Sequence, residues 1–172
     1  MEGRKVRVRY GRRYTTSGGT SRSRYIGSTV EAYVEAPALK TRTGIAPATG
    51  LGQAVGRFSK LRPVEVDDMD YSGLMVHSRD PDWTRGLLAD ERAKTLILKL
   101  MDPDLPGGTP QILVTPGSIY VTINRVPEGE ITADLMRAWL EDAIALAEAA
   151  EAQPAPAEPL EVKPFERRAR GW

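Results

Sequence analysis

The stretch from Asp68 to Leu100 constrains the fold more than any other part of the chain. It contains an acidic turn, a short apolar segment and two consecutive helical patterns. Asp80 suits the N-cap of the first helix, and Pro81 suits its first helical position, where a missing N–H costs nothing. Asp90 opens the second pattern. The stretch therefore predicts a strand followed by two helices, and it carries no recognisable reaction chemistry.

The region after residue 110 predicts a hairpin and a long amphipathic helix. Two β-type runs are joined by Pro116-Gly117, a pair that suits a type II turn, although a slightly longer loop is equally consistent. A two-residue loop would place Val114 opposite Ile119. Thr132, as an N-cap, precedes an apolar stripe at spacings of three and four. These patterns predict an α+β fold in which an antiparallel β-sheet carries two or three helices, near residues 81–101 and 131–151.

A change of composition after Ala152 marks the end of the predicted domain. Residues 1–152 are expected to form a single α+β domain with a basic N-terminal strand. Residues 153–172 are expected to form a flexible tail, because a Pro/Ala-rich linker cannot bury a core. The tail ends in a basic segment with aromatic residues at both edges.

The N-terminal segment has the alternation of a strand. Val6, Val8 and Tyr10 fall on one face and Arg7 and Arg9 on the other, which predicts a half-buried strand with an arginine face. A second β-type run spans residues 25–34, and the extended stretch around residues 39–45 is a candidate to pair with it.

Charge is distributed unevenly along the chain. The net charge is +1, yet the first 25 residues hold eight Lys or Arg side chains and one Glu. Such asymmetry can mark an arm that binds nucleic acid or another polyanion, or a surface that lies against acidic protein. The residues that we expect to contact a partner or polyanion are Arg7, Arg9, Arg12, Arg13, Arg22 and Arg24 in this segment, and Phe165, Arg167, Arg168, Arg170 and Trp172 in the tail.

Composition and motifs argue against several kinds of site. Cysteine is absent, which excludes disulfides and thiolate metal sites, and His77 is the single histidine. Gly50 to Gly56 resembles a dinucleotide fingerprint but lacks its strand-turn-helix context. The turn that starts at Asp68 matches half of a calcium loop, but Arg79 stands where the closing glutamate should be. We therefore expect no metal and no cofactor. Because no apolar run is long enough for a membrane helix or a signal peptide, we also expect a soluble, cytoplasmic protein without membrane insertion.

Several motifs together resemble a bacterial domain family of unknown function. They are Asp68-Met69-Asp70-Tyr71, the run Leu74 to Asp82, Leu87-Leu88-Ala89-Asp90-Glu91 and Ser118 to Ile123. The resemblance spans roughly residues 64–150. Ala89-Asp90 replaces the family's usual threonine-proline, and members are often attached to membrane segments. The resemblance implies the α+β fold and implies no catalytic residues.

Three functions are compatible with these features. The leading hypothesis is a non-enzymatic protein-interaction or assembly subunit of a larger complex, in contact with other protein chains through the basic N-terminal segment and the tail. The alternative is a nucleic-acid-binding protein in which Tyr10, Tyr14 and Tyr25 stack on bases beside the arginines. The third is an enzyme that uses His77 with Asp80 or Asp82, and we do not expect one.

Overall fold

The computed structural model describes residues 4–16, 23–48, 60–102, 108–127 and 129–162. Within these ranges the chain forms one seven-stranded sheet and three α-helices. The strands are β1 Val6–Thr16, β2 Ser23–Ala36, β3 Thr43–Pro47, β4 Arg62–Pro63, β5 Leu74–Ser78, β6 Thr109–Thr115 and β7 Gly117–Val126. The helices are α1 Pro81–Ala89, α2 Glu91–Met101 and α3 Ala133–Glu151, and a 3-10 turn spans Met69–Tyr71. This architecture confirms the predicted α+β class.

The strand order is β1-β2-β7-β6-β3-β5-β4, and each neighbouring pair is antiparallel. The predicted hairpin is confirmed, because Val114 pairs with Ile119 across β6 and β7. Gly117 has φ +83°, the value that the third residue of a type II turn requires. No described helix has both the length and the apolar character needed to cross a membrane.

The helices begin where the sequence indicates. Asp80 accepts a hydrogen bond from the amide of Trp83 at 3.2 Å, and Asp90 accepts one from Ala93 at 2.8 Å. Thr132 caps α3 in the same way, through the amide of Leu135 at 3.2 Å. Each side chain satisfies a backbone donor that lacks a partner within its helix.

The helices cover one face of the sheet. Alternate residues of the central strands face them and are buried, and α3 packs on β2 and β7. The two inner strands contribute Val30, Ala32, Val34, Ile119, Val121 and Ile123 to this core, and the helices contribute Leu87, Ile97, Trp139 and Leu146. The opposite face of the sheet carries no helix among the described residues.

Two parts of the chain differ from the sequence interpretation. The stretch expected to pair with the second strand forms β3, which instead pairs with β5 and β6, so that Ile45 lies between Val76 and Ile112. The start of the linker also has defined contacts: Pro156 is buried, and the Leu160 amide donates to the Lys40 carbonyl at 2.6 Å. The tail residues from 163 onward lie outside the described residues, as does the glycine-rich stretch from Gly50 to Gly56.

Candidate protein-interaction edge

The strand β1 forms one edge of the sheet and, among the described strands, has β2 as its neighbour. The Glu35 amide donates to the Lys5 carbonyl at 2.9 Å, so Lys5 and Glu35 form a hydrogen-bonded pair. Because such pairs alternate along an antiparallel ladder, the odd-numbered residues of β1 bond to β2 as far as Arg13, after which the register shifts. The peptide groups of Val6, Val8 and Tyr10 consequently point away from the sheet.

The apolar face of β1 is exposed. Val6, Val8 and Tyr10 are 37%, 45% and 55% exposed, and Tyr14 is 54% exposed. We call these four residues the apolar strip. Val6, Val8 and Tyr10 lie on the helix side of the sheet because they pair with the core residues Val34, Ala32 and Val30 of β2, and Tyr14 pairs with Tyr25. The prediction that this face is buried is wrong, as these exposures show: among the described helices, α3 packs chiefly on β2 and β7.

The arginine face of β1 is the more covered one. Arg7 and Arg9 are half-buried and lie opposite Tyr33 and Glu31 of β2. Arg13, on the same face, donates to the side-chain oxygen of Asn124 at 3.4 Å. The arginine face therefore lies over the polar side of the sheet, where long side chains can extend across neighbouring strands.

This polar side contains groups that the sequence interpretation missed. Tyr120 donates to the Glu31 carboxylate at 2.6 Å, and its ring lies 4.5 Å from that of Tyr33. Gln111 and Thr122 are paired across β6 and β7 and are buried, and within the described residues Gln111 Nε2 and Thr122 Oγ1 have no hydrogen-bond partner. The alternation of polar residues along β7 was the available signal, but it resembles an ordinary solvated face.

The arginines and tyrosines expected to act together are divided between the two faces. Tyr10 and Tyr14 lie on the side opposite Arg7 and Arg9. The hydroxyl groups of Tyr10 and Tyr25 both hydrogen-bond to Ser28 Oγ, at 2.7 and 2.8 Å. A base stacked on these tyrosines would therefore not share a surface with the Arg7 and Arg9 side chains.

The remaining predicted contact residues are distributed as follows. Side chains alternate between the two faces along β1, so Arg12 lies on the same side as the apolar strip and not on the arginine face. Arg24 belongs to β2, where it pairs with Thr15. The residues that lie outside the described residues are Arg22, Phe165, Arg167, Arg168, Arg170 and Trp172.

The acidic turn is held by a lysine. Lys94 Nζ lies 2.6 Å from a carboxylate oxygen of Asp68 and 2.6 Å from one of Asp70. The hydrogen bond from Lys94 lowers the pKa of Asp68, and a second one from the Asp70 amide adds to this effect. The two carboxylates in turn raise the pKa of Lys94. Among the described residues no group of three or more His, Asp or Glu side chains is placed to hold a metal ion.

His77 and its suggested carboxylates lie on different sides of the sheet. His77 pairs with Gly44 and faces away from the helices, whereas Asp80 and Asp82 lie at the start of α1. Asp80 caps the helix, and Asp82 accepts from Arg85 at 2.7 Å. Both carboxylates therefore have partners within α1, and the third hypothesis stays a prediction.

A cleft of about 420 Å³ lies beside the start of α1. The lining includes the basic residues Lys60, Arg62 and Arg79 and the acidic residues Asp80 and Glu158. Glu158, from the linker, lies 3.8 Å from Arg79. The cleft thus contains charges of both signs, part of them supplied by the chain's own C-terminal segment.

Within the described residues, the fold defines an α+β domain with β1 as an exposed edge strand. Comparison with known proteins adds little to that class. No protein-family model and no curated protein matches the chain. A similar solved structure is the crystal structure of the mycobacterial trehalose monomycolate transport factor A, with a TM-score of 0.48 and 13% sequence identity. The match covers 76% of this chain and 64% of that one.

Proposed function

We propose that this protein is a non-enzymatic interaction or assembly subunit, and that the free edge of β1 is its principal contact. The observation that carries the proposal is that two properties occur together on β1. The residues whose peptide groups point outward, Val6, Val8 and Tyr10, are also the residues with exposed apolar side chains. An added strand satisfies these peptide groups and covers the apolar side chains at the same time.

Strand addition is a common mode of protein recognition. Main-chain hydrogen bonds supply affinity, and alternate side chains supply specificity. Exposed edges are normally short or interrupted, because an open row of N–H and C=O groups invites pairing with other chains. Here β1 spans 11 residues, or roughly 37 Å at about 3.4 Å per residue. An edge of this length fits a binding surface better than a protected one.

Nucleic-acid binding is supported less well by the same geometry. Glu31 lies opposite Arg9, and Glu35 lies 3.9 Å from Lys5, so carboxylates accompany the cations of this face. Tyr120, the aromatic residue nearest the centre of that face, is 5% exposed and offers little ring surface for stacking. Nucleic acid is therefore the less favoured partner, and the experiment below distinguishes it from a protein.

The proposal is tested by purifying the full-length protein from cells that produce it naturally, followed by size exclusion with mass detection. We expect a co-eluting protein that is lost in Val8→Pro. Proline removes the Val8 amide, which points away from the sheet, and leaves the hydrogen bonds between β1 and β2 in place. Met69→Ala is the matched control, since Met69 is an exposed apolar residue far from β1 in the chain. The aromatic and basic residues of the tail form a second predicted contact, to be tested by truncation after residue 162.

Two results would contradict the proposal. A partner retained equally by the wild type and Val8→Pro would place the interface elsewhere. Co-elution of nucleic acid instead, with an affinity that falls steeply as salt rises, would favour the alternative, because phosphate contacts release counterions.

A further inference from the structure

We propose that the cleft beside the start of α1 binds a small molecule that carries a phosphate group. This inference is independent of the β1 edge and goes beyond the proposed function. It rests on three observations. The cleft collects three cationic residues, two of them have no ion pair among the described residues, and the carboxylate within ion-pair distance of the third belongs to the linker.

Strand pairing brings the three cationic residues together. Arg62 of β4 pairs with Ser78 of β5, and Arg79 follows Ser78 directly. Lys60 lies two residues before Arg62, and all three cationic residues line the cleft. The cleft has a volume of about 420 Å³. Pockets for small molecules span roughly 300 to 1,000 Å³. The fold therefore places three cationic residues around a space of the size that a small ligand needs.

The cleft has more positive than negative charge. Within the described part of the chain, the exposed residues Lys60 and Arg62 form no ion pair and no side-chain hydrogen bond. Arg79 has Glu158 as a partner, at 3.8 Å. Asp80 also lines the cleft, but its Oδ1 accepts a backbone amide at the start of α1. A surplus of positive charge is left when both carboxylates are counted.

Glu158 is a carboxylate that a ligand can displace. The linker is held at Pro156, which is buried, and at Leu160, whose amide donates to the Lys40 carbonyl at 2.6 Å. Between these two points the Glu158 side chain is 87% exposed. Exposed ion pairs of this kind contribute little to stability. An anion of higher charge can therefore replace the Glu158 carboxylate while both linker contacts stay in place.

A phosphate group fits this cleft better than a single carboxylate. Arginine binds phosphate oxygens through parallel N–H donors, and lysine adds a compact positive charge. A phosphate monoester carries about 1.5 to 2 negative charges at neutral pH, whereas Glu158 carries one. The phosphate group can belong to a soluble molecule or to a lipid headgroup, and the test below separates these two sources.

The test measures pyrophosphate binding to the full-length protein by isothermal titration calorimetry at low salt. We expect saturable binding that weakens at least about fivefold in Arg62→Gln, because a charge-assisted contact is lost. The matched control is Arg137→Gln, which changes the net charge equally. Arg137 is exposed on α3 and is not part of the cleft lining, so this variant should bind as the wild type does. Succinate, which has two carboxylates and no phosphate, should bind more weakly than pyrophosphate.

Removal of the competing carboxylate gives a readout of the opposite sign. Glu158→Gln should bind pyrophosphate about two- to fivefold more tightly, since the ligand no longer has to displace an exposed ion pair. Glu161→Gln, the same change three residues further along the linker, should alter the affinity little. A gain of affinity cannot result from a damaged fold, so this comparison separates competition from misfolding.

Vesicles identify the source of the phosphate group. Cosedimentation with phosphatidylcholine vesicles that contain phosphatidic acid, if lost in Arg62→Gln, would assign the phosphate to a lipid headgroup. Pyrophosphate binding without vesicle binding would assign it to a soluble molecule.

Four results would overturn the inference. They are absence of pyrophosphate binding at low salt, equal affinities in the wild type, Arg62→Gln and Glu158→Gln, equal affinity for succinate, and a tighter complex with an oligonucleotide that Arg62→Gln abolishes. Val8→Pro should bind pyrophosphate as the wild type does. Failure at the cleft therefore leaves the β1 edge untouched, and failure at the edge leaves the cleft untouched.

Discussion

The direction of the β1 peptide groups can be tested by a pair of proline substitutions that should differ in stability. Arg9 and Glu31 are expected to exchange two ladder hydrogen bonds, whereas the Val8 amide points away from β2. Arg9→Pro therefore removes a bond within the sheet, and Val8→Pro removes none. The free-energy cost of losing each side chain is measured with Arg9→Ala and Val8→Ala and is subtracted from that of the proline variant.

The expected magnitudes follow from these contacts. Arg9→Pro loses a bond with a net value of about 0.5 to 1.5 kcal/mol and leaves the Glu31 carbonyl without its donor, so we expect a cost of about 1 to 3 kcal/mol beyond that of Arg9→Ala. For Val8→Pro, proline also restricts the unfolded chain, which is worth about 0.4 to 1 kcal/mol in the opposite direction. We expect Val8→Pro to differ from Val8→Ala by less than about 1 kcal/mol.

The assay is urea unfolding of the four variants and the wild type, with free energies extrapolated to water. For a chain of this size, a difference of 1 kcal/mol also corresponds to roughly 2 to 4 °C in Tm. A cost for Val8→Pro equal to or greater than that for Arg9→Pro, after subtraction of the alanine values, would refute the assigned ladder. Strand addition at Val6, Val8 and Tyr10 would then have no geometric basis.

Three further predictions concern the fold that supports this edge. Gly27 has φ +112°, and a Cβ there would lie 2.8 Å from the Arg125 Cα, so Gly27→Ala should cost at least about 1 to 3 kcal/mol in a thermal melt. Thr84 Oγ1 lies 2.7 Å from both Thr43 Oγ1 and Ser78 Oγ, so Thr84→Val should cost about 1 to 3 kcal/mol in urea unfolding. Burial raises the pKa of Tyr71 to about 12 from 10.0, so unfolded chains ionise first and stability should fall between pH 10 and 12. Urea unfolding across this pH range should show the fall in the wild type and not in Tyr71→Phe; an equal fall in both proteins would show that the buried phenol does not cause it.

Local features of the sequence predicted the local structure well. Asp80 and Thr132 are the caps of α1 and α3, and Val114 faces Ile119 across the hairpin. In each case the determining contact joins residues that are close in the chain. Side-chain chemistry and spacing therefore contain the information, and no distant element has to be known.

Long-range relations were predicted less well for a physical reason. The alternation of Val6, Val8 and Tyr10 assigns them to one face of a strand but contains no information on whether a helix covers that face. Likewise, the β-type composition of β3 does not indicate its neighbours, which are β5 and β6 rather than β2. The exposure of β1 depends on how far α3 covers the sheet, and that is a property of the packed domain.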